Sequence, residues 1–391
     1  MRIIRPVIAF LILTGSLFAQ LSTNLEILSQ YDDNLFRSPY PIRDMLTNID
    51  LRLSYRPENS NVNLYYNGDV FLYRENTLRN FYLNSIGLNY YRPFGENKIN
   101  TFYFGAEWAL RKNGDNYNYF DYNQAYIYSN FRLDLNLFFL RGGYNFRYRN
   151  YLQLPDLTNY RQYVFLQTNK SFRTKTTLIM EADLGNKVFS GRELFTTGQS
   201  TGHGIRGYGG GRFNPYTDVT TTSVSEVPAL SHVVLLTRVT QSLFNKMGVY
   251  VQYRQQISLT KETDFVNADG FYQDEEIFDD PFSYESKGWS SQLTWMISRS
   301  VKIQIRGAVT SKNYISEQAY VSADDTLASG GSRSDNMQTF NVNFTKTFYV
   351  NKKGFKNFQF YMNYYYIKNC SNSFWYDYKN SVMGAGIKWQ L

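Results

Sequence analysis

The chain has 391 residues and a formal net charge of +8, and 18% of its residues are aromatic. Its mean hydropathy is -0.45 although it contains 35 tyrosines and 30 phenylalanines. A water-soluble enzyme of this length would show helical apolar periodicity, whereas strands that alternate apolar and polar residues combine many aromatics with a polar average. The single cysteine, Cys370, excludes a disulfide framework.

Residues 1–19 have the pattern of a secretory signal peptide. A basic start with Arg2 and Arg5 is followed by an apolar run over residues 6–13 and by small residues before Ala19. The run is too short to cross a bilayer, which argues against a membrane anchor. We therefore predict a signal peptide over 1–19 and a single domain over 20–391. Secretion and a mildly basic chain together argue against nucleic acid as a partner.

From residue 23 onward, short segments alternate apolar and polar residues, as strands with one apolar face do. Residues 23–31 form the first segment, and residues 62–72 repeat the pattern after a turn at 56–60. Each segment has about 10 to 14 residues, enough for a tilted strand across a membrane. We count sixteen segments, and the later ones centre near Tyr126, Leu140, Phe165, Met180, Leu235, Val251, Leu293, Ile303, Val342, Tyr361 and Ile387.

The connections between these segments alternate between short and long. Short ones lie near 56–60, 93–98, 132–134, 173–176, 245–248, 298–300 and 350–357, and the longest of the others are 190–229, 261–286 and 316–336. Membrane barrels have an even number of antiparallel strands, short periplasmic turns and long outer loops. The sequence thus predicts an all-β transmembrane barrel of about sixteen strands. Fourteen or eighteen strands are the alternatives, because the segments near Tyr82 and Phe165 are weakly patterned.

A soluble β-sandwich or β-helix is the competing fold. A sandwich would expose more one-sided aromatic surface than a monomer tolerates. No repeat of 20 to 50 residues indicates a solenoid or a propeller. Both observations favour the barrel.

The last segment carries a resemblance to a known family. One of its faces consists of Met383, Ala385, Ile387, Trp389 and Leu391, and the chain ends there. This ending resembles the closing strand of bacterial outer-membrane β-barrels, in which Ile387, Trp389 and Leu391 would form the insertion signal. The family usually ends in Phe, where this chain has Leu391. Residues 31–37 also resemble a segment near the first strands of many outer-membrane barrels, some of them associated with exopolysaccharide export.

The resemblance implies a porin-like single-chain barrel in the bacterial outer membrane. Its implied partners are outer-membrane lipid and lipopolysaccharide, the barrel assembly machinery and a small solute. No specific subfamily is indicated, and the implied partners do not include nucleic acid.

Catalytic chemistry has little support in the sequence. The two histidines are His203, in the glycine-rich stretch 202–211, and His232 on a polar strand face. Ser231 adjoins His232, but neighbours on a strand point to opposite faces, so they cannot form a catalytic dyad. The glycine-rich stretch lacks the Lys-Ser/Thr of a phosphate loop. We predict no enzymatic activity, no catalytic residues and no cofactor.

An acidic stretch over residues 264–280 is the one candidate for a metal site. Asn267, Asp269 and Glu276 match positions of a calcium-binding loop, but Phe265 stands at the first ligand position and no helices flank the stretch. A solvated acidic loop is therefore the favoured interpretation. Divalent cations bridging this loop to outer-leaflet phosphates are an intermediate alternative.

Charged residues on the polar strand faces are predicted to point into the barrel, because an Arg or Lys at mid-depth in lipid costs roughly 2–4 kcal/mol. These charges either neutralise one another in a packed interior or line a water-filled pore with a basic wall, and we favour the pore. By parity the inward-facing acids are Asp50, Asp69, Glu107, Glu181 and Asp183. By the same parity the lumen-facing bases are Arg52, Arg141, Arg147, Arg149, Arg254, Lys302, Arg306, Lys312 and Lys388.

These features predict a channel for small polar or anionic solutes. The long stretch 190–229 is a candidate constriction loop through Arg192, His203, Arg206 and Arg212. One alternative is a non-conducting surface receptor, adhesin or structural barrel. A second is the terminal barrel of a polysaccharide exporter, with its periplasmic helical repeats on another chain. A TonB-dependent transporter is disfavoured because no plug domain precedes the first strand.

Overall fold

A computed structural model of the chain describes residues 21–190, 229–260, 279–352 and 355–390. No helix in these ranges is long and apolar enough to cross a membrane. The described residues form sixteen strands and four short 3-10 turns, at Thr77–Arg79, Asp115–Phe120, Pro155–Leu157 and Phe374–Tyr376. The strands are β1 (Leu21–Asp32), β2 (Asp44–Tyr55), β3 (Val62–Tyr73), β4 (Phe81–Phe94), β5 (Asn100–Asn113), β6 (Tyr122–Asp134), β7 (Phe139–Tyr151), β8 (Asn159–Ser171), β9 (Thr176–Phe189), β10 (Ala229–Phe244), β11 (Met247–Ser258), β12 (Tyr284–Ser298), β13 (Val301–Gln318), β14 (Ser332–Lys352), β15 (Phe355–Ser371) and β16 (Tyr378–Gln390).

The strands form one closed antiparallel barrel in sequence order. Closure joins β1 to β16, where Leu25 pairs with Trp389 and Ile27 with Ile387. A closed cylinder leaves no sheet edge whose backbone groups lipid would leave unsatisfied. The predicted fold class and the count of sixteen are confirmed, and β4 and β8 form where the sequence pattern was weakest.

Alternation along each strand separates an apolar outer face from a polar inner face. On β5, Trp108 is 47% exposed on the outside, whereas Arg111 is 3% exposed on the inside. Large apolar side chains remain exposed on the outer faces of other strands, among them Ile86, Val164 and Met383. An apolar exterior around a closed cylinder of strands is the surface that lipid requires. The molecule is a transmembrane barrel of the bacterial outer-membrane type.

The two ends of the barrel differ in their connections. At one end the described turns are short, namely 56–61, 95–99, 135–138, 172–175, 245–246 and 299–300. Asn59 and Asn136 adopt left-handed backbone conformations in two of them, as tight turns require. The connections at the other end are longer, so this end faces the cell exterior by the general rule for bacterial barrels. It is called the outer end below.

Two buried apolar clusters lie at the outer end, where residues of the connections pack against the inner faces of the strands. One contains Leu35 and Phe36 from the connection 33–43, packed on wall residues of β2 to β4. The other joins residues of the connections 114–121, 152–158 and 259–283 to the wall, and its members are Tyr119, Phe120, Tyr122, Tyr151, Leu154, Leu157, Phe189, Leu230 and Phe282. The connections 33–43, 114–121 and 152–158 and the segment 279–283 therefore fold inward, whereas Val321 and Leu327 of the connection 319–331 stay exposed.

Candidate functional site: the lumen and its outer constriction

The inner surface of the barrel, called the lumen here, carries acidic groups on one side. Glu26, Asp50, Asp69 and Glu107 lie on the inner faces of β1, β2, β3 and β5. Tyr361 and Lys388 donate to Glu26 at 2.6 and 3.1 Å, and Tyr65 donates to Glu107 at 2.9 Å. Arg52 forms an ion pair with Asp50. This side is therefore a network of acids with partly compensating bases.

The side of the lumen formed by β6, β7 and β8 is basic. Arg147 on β7 stands opposite Arg161 on β8, although like charges in such a position repel each other. The inward-facing arginines of these three strands are Arg132, Arg141, Arg147, Arg149 and Arg161. The predicted inward-facing acids Glu181 and Asp183 lie next to this side on β9, where Gln167 of β8 donates a hydrogen bond to Glu181. Arginines are therefore concentrated on β6 to β8, and acids flank them on β9 and on β1 to β5.

Glutamine side chains hold several of the lumen arginines. Arg238 donates through Nε to Gln252 at 2.8 Å, Arg254 donates to Gln256 at 3.1 Å, and Arg141 donates to Gln167 at 3.3 Å. Arg149 donates twice to Gln124, at 3.1 and 3.0 Å. A glutamine side-chain oxygen accepts hydrogen bonds from a guanidinium group as a carboxylate does, but it carries no negative charge. These contacts position the arginines and keep their positive charge in the lumen.

Besides Lys312, which pairs with Asp279, the sequence placed eight bases in the lumen, and the strand register of the structure puts all nine on the inner face. Arg306 stands opposite Gln292 and Asn341, and Lys302 stands opposite Thr345. Arg52, Arg141, Arg147, Arg149, Arg254 and Lys388 lie on the same face of their strands. The eight do not form one cluster, because they are distributed over β2, β7, β11, β13 and β16.

Sequence reasoning missed other inward-facing bases, including Arg161, Arg238 and Lys187. Lys187 shares the parity of Asp183 on β9, and Arg238 shares the parity of His232 on β10, so alternation alone could have found these two. Arg161 lies on β8, whose pattern was weak. Arg238, for example, pairs in register with Gln252 and lies two pairs from Arg254. Their glutamine and carboxylate partners could not be found this way, because strand register is needed to identify them.

The segment 279–283 precedes β12 at the outer end and packs against the inner wall, and it is called the latch segment below. Asp279 is paired with Lys312 of β13 and accepts a hydrogen bond from Tyr314 at 2.7 Å. Asp280 is paired with Lys187 of β9 and is fully buried. Two adjacent carboxylates thus attach this segment to two separate parts of the wall.

Packing adds to these ion pairs. Phe282 stacks on His232 of β10 with ring centroids 4.2 Å apart, and Tyr163 of β8 lies 5.6 Å from Phe282. Gln256 of β11 donates to the carbonyl oxygens of Pro281 and Tyr284. The latch segment therefore contacts β8, β9, β10, β11 and β13 together.

The expectation of a solvated acidic loop is wrong for its last two residues. Burial by itself raises the pKa of Asp279, but attraction to Lys312 and Arg333 and the hydrogen bonds from Lys312 and Tyr314 outweigh it and lower the pKa below its usual range. Asp279 is therefore a carboxylate at neutral pH. Lumen lysines far away in the sequence draw these two residues inward, and no local sequence pattern reveals such partners.

Arg333 of β14 forms a second buried charge cluster beside Lys312. Its guanidinium pairs with Glu317 at 2.7 Å and with Asp335 at 2.5 Å. It also lies 3.9 Å from the ring centroid of Tyr314 and 3.2 Å from that of Tyr376. Each charge in this cluster has an opposite partner, and the cluster connects Glu317 of β13 to Arg333 and Asp335 of β14 at the outer end.

The segment 31–37, which resembled other outer-membrane barrels, closes the outer end of β1. Asn34 donates to the carbonyl oxygens of Ser38 and Lys379 at 2.8 and 2.9 Å, which joins this connection to β16. Leu35 and Phe36 are buried against the wall. Its described role is structural.

Several sequence predictions fall on residues outside the described ranges. These are the signal peptide 1–19, Leu391, the metal candidates Asn267, Asp269 and Glu276, and the constriction candidates Arg192, His203, Arg206 and Arg212. Ile387 and Trp389 lie on β16 at the closing pair with β1. Within the described ranges no group of three or more His, Cys, Asp or Glu side chains could hold a metal ion. Ser231 accepts a hydrogen bond from Asn186 on the face of β10 opposite to His232.

The half of the barrel nearer the short turns contains a cavity of about 220 Å³ with a mixed polar and apolar lining. It lies beside the ion pair of Glu26 and Lys388 and is also lined by Gln304, Asn343 and Tyr361. Its lining offers both donors and acceptors, which suits small polar molecules.

Comparison with known proteins gives similarity in structure only. No protein-family model and no curated protein sequence matches the chain. OprE (OccK8) of Pseudomonas aeruginosa has 10% identity and a TM-score of 0.48, with 95% of this chain and 98% of that chain covered. OpdQ of the same organism has 10% identity and a TM-score of 0.48, with 95% and 97% covered. The outer-membrane protein OmpT of Vibrio cholerae has 10% identity and a TM-score of 0.46, with 95% and 97% covered. Similarity at this level says nothing about a solute.

Proposed function

We propose that the protein is a non-enzymatic outer-membrane channel for small polar solutes and that it prefers anions. The observation that carries the proposal is the set of lumen arginines held by glutamines, above all Arg141, Arg238 and Arg254. Arg141 is exposed and Arg238 and Arg254 are half-buried, so water can solvate their charges and no carboxylate is needed to neutralise them. Neutral partners hold the guanidinium groups in place and leave their charge available to solutes.

The preference is electrostatic. A basic wall raises the local concentration of anions, and salt weakens the effect over a Debye length of about 10 Å at 0.1 M. The acidic side around Glu26 and Glu107 opposes this effect. The expected selectivity is therefore modest and greatest at low salt.

A non-conducting surface barrel is the second candidate, and one observation favours it. Several described outer connections fold inward, and their Leu35, Phe120 and Phe282 are buried at the outer end. A receptor or adhesin would need such a closed and rigid outer surface, whereas a channel needs a path past it. The exporter alternative has no comparable support among the described residues.

Reconstitution into planar bilayers tests the channel. Under a salt gradient the wild type should show discrete conductance steps and a reversal potential that favours anions. Arg147→Glu combined with Arg306→Glu should reduce this preference. As a control, Arg43→Glu combined with Arg56→Glu makes the same change of charge on two exposed residues outside the lumen. This control should reduce the anion preference less. A wild type that inserts but does not conduct would favour the surface receptor.

A further inference from the structure

Three neighbouring short turns, at the end of the barrel opposite to the outer end, carry bases and no acids. They are the turns 172–175, 245–246 and 299–300, which connect β8 to β9, β10 to β11 and β12 to β13. Neither these turns nor the four residues on either side of each contain Asp or Glu. The exposed bases of the three turns are Arg173, Lys175, Lys246 and Arg299, and this set is called the basic rim below.

The other described short turns at this end combine both signs of charge. Glu58 accompanies Arg56 in the turn 56–61, and Glu96 accompanies Lys98 in the turn 95–99. Asp134 immediately precedes the turn 135–138. Among the described short turns, an excess of positive charge is therefore confined to the side of the barrel formed by β8 to β13.

Hydrogen bonds join the three basic turns into one continuous surface. The backbone N–H of Ser242, near the end of β10, donates to the carbonyl oxygen of Lys175 at 3.2 Å. The backbone N–H of Met296, near the end of β12, donates to the carbonyl oxygen of Lys246 at 2.8 Å. The turn 299–300 follows β12 directly. The four bases therefore lie along one arc of the barrel end.

The charges of the basic rim are available to a partner. Within the ranges that the structure describes, none of its four bases forms an ion pair with an acidic side chain. Like charges that share one arc repel each other, and salt in water screens this repulsion only in part. An anionic surface that covers the arc would relieve the repulsion.

Exposed apolar side chains beside the bases indicate that this surface is a membrane. Phe244, next to the turn 245–246, is 70% exposed, and Phe172 and Ile297 are also exposed. Lys170 lies on the lipid-facing side of β8 with its Nζ 5.4 Å from the centroid of the Phe172 ring. Long basic side chains at a membrane edge lay their stems on apolar groups and extend their charge to the headgroups. An acidic protein would leave these apolar side chains without a matching partner.

We propose that the basic rim binds anionic phospholipids of the periplasmic leaflet. The phosphodiester groups neutralise the four bases, while Phe172, Phe244 and Ile297 contact the upper part of the acyl chains. Short turns face the periplasm in bacterial barrels, which assigns the leaflet. The binding surface lies outside the lumen, so this inference goes beyond the channel and does not depend on what the lumen conducts.

Fluorescence quenching by brominated lipids tests the surface at a defined position. Trp295 lies on the outer face of β12 beside the basic rim, where it pairs with Met247. Phe102 lies on the outer face of β5 at a similar distance from its own short turn, 95–99, which contains both an acid and a base. Two full chains are compared. One keeps Trp295 as its only tryptophan, and the other has Phe102→Trp as its only tryptophan, with the natural tryptophans replaced by phenylalanine.

Both chains are reconstituted in vesicles of equal parts phosphatidylglycerol and phosphatidylcholine, with one or the other lipid brominated. Quenching at Trp295 should show a preference of at least about threefold for phosphatidylglycerol, whereas the Phe102→Trp position should show almost none. The preference should fall as salt rises, because it is electrostatic. Equal quenching by the two lipids at Trp295, or an equal preference at both positions, would overturn the proposal.

Charge removal identifies the bases responsible. Arg173→Gln combined with Lys246→Gln and Arg299→Gln should abolish most of the preference at Trp295. Arg56→Gln combined with Arg92→Gln and Lys98→Gln removes the same charge from exposed residues on the other side and should leave the preference at Trp295 unchanged. An undiminished preference after loss of the rim bases would overturn the proposal.

Native mass spectrometry of the chain with all its natural tryptophans gives a second measurement that does not depend on tryptophan replacement. In detergent with equal amounts of the two lipids, phosphatidylglycerol adducts should outnumber phosphatidylcholine adducts, and the excess should fall in the variant that lacks three rim bases. Equal numbers of the two adducts on the chain without substitutions would overturn the lipid surface and favour an acidic periplasmic protein as the partner of these bases.

Discussion

The ion pair between Lys187 and Asp280 provides the sharpest test of how the latch segment is held. Lys187→Met leaves Asp280 buried without its ammonium partner, and Asp280→Leu leaves Lys187 in the same condition. Breaking a buried pair from one side costs about 3–5 kcal/mol, whereas replacing both partners by apolar groups is often neutral. We expect each single change to lower the free energy of unfolding by about 3–5 kcal/mol and the double change to lower it far less.

Urea unfolding of the barrel in lipid vesicles, followed by tryptophan fluorescence, measures these free energies, and the four proteins form a double-mutant cycle. The predicted coupling energy is at least about 3 kcal/mol, far above the typical value for exposed pairs of about 0.2–1 kcal/mol. Additive effects of the two single changes would refute the reasoning, because additivity means that the two side chains do not depend on each other.

Three further predictions concern other parts of the barrel. The Asp279 carboxyl has a lowered pKa in the folded protein. Its contribution to the free energy of unfolding should therefore be complete above the ordinary Asp pKa of about 3.9 and be lost as the pH falls through the lower folded value. Unfolding titrations at several pH values measure this loss, and Asp279→Asn should remove the share of it that Asp279 causes. Trp108→Arg places a charge on the outer face and should cost roughly 2–4 kcal/mol near mid-depth, whereas Trp108→Phe should cost less; equal losses in the same unfolding assay would contradict an outward position. Gly87→Val should destabilise the barrel by about 1–3 kcal/mol, because a Cβ at Gly87 would lie 2.5 Å from the Tyr65 ring and 2.7 Å from the Ala106 carbonyl oxygen; unchanged stability would contradict this close contact.

The barrel could be predicted from sequence because its rule is local. Side chains alternate faces along a strand, and lipid demands apolar residues on one face throughout. The alternation around Trp108 and Glu107 therefore identifies the outer and inner faces of β5 without any knowledge of which strands pair with it. Even β8, where Phe165 interrupts the polar inner face, forms because its neighbours fix its register.

The outer constriction could not be predicted because its contacts are not local. Asp280 lies 93 positions from Lys187, and Asp279 lies 33 positions from Lys312. As a sequence, the acidic stretch looks solvated, and only the closed barrel brings lysines of β9 and β13 towards it. The cross-strand glutamine partners were missed for the same reason, since Arg238 and Gln252 meet only across paired strands.

The most direct test of the channel is single-channel recording from the purified protein in planar bilayers under a salt gradient. The lumen arginines, among them Arg141, Arg238 and Arg254, predict discrete conductance steps and a reversal potential of anionic sign that weakens as salt rises. Insertion without conductance, or a cation preference that Arg147→Glu and Arg306→Glu leave unchanged, would contradict a channel with a basic lumen.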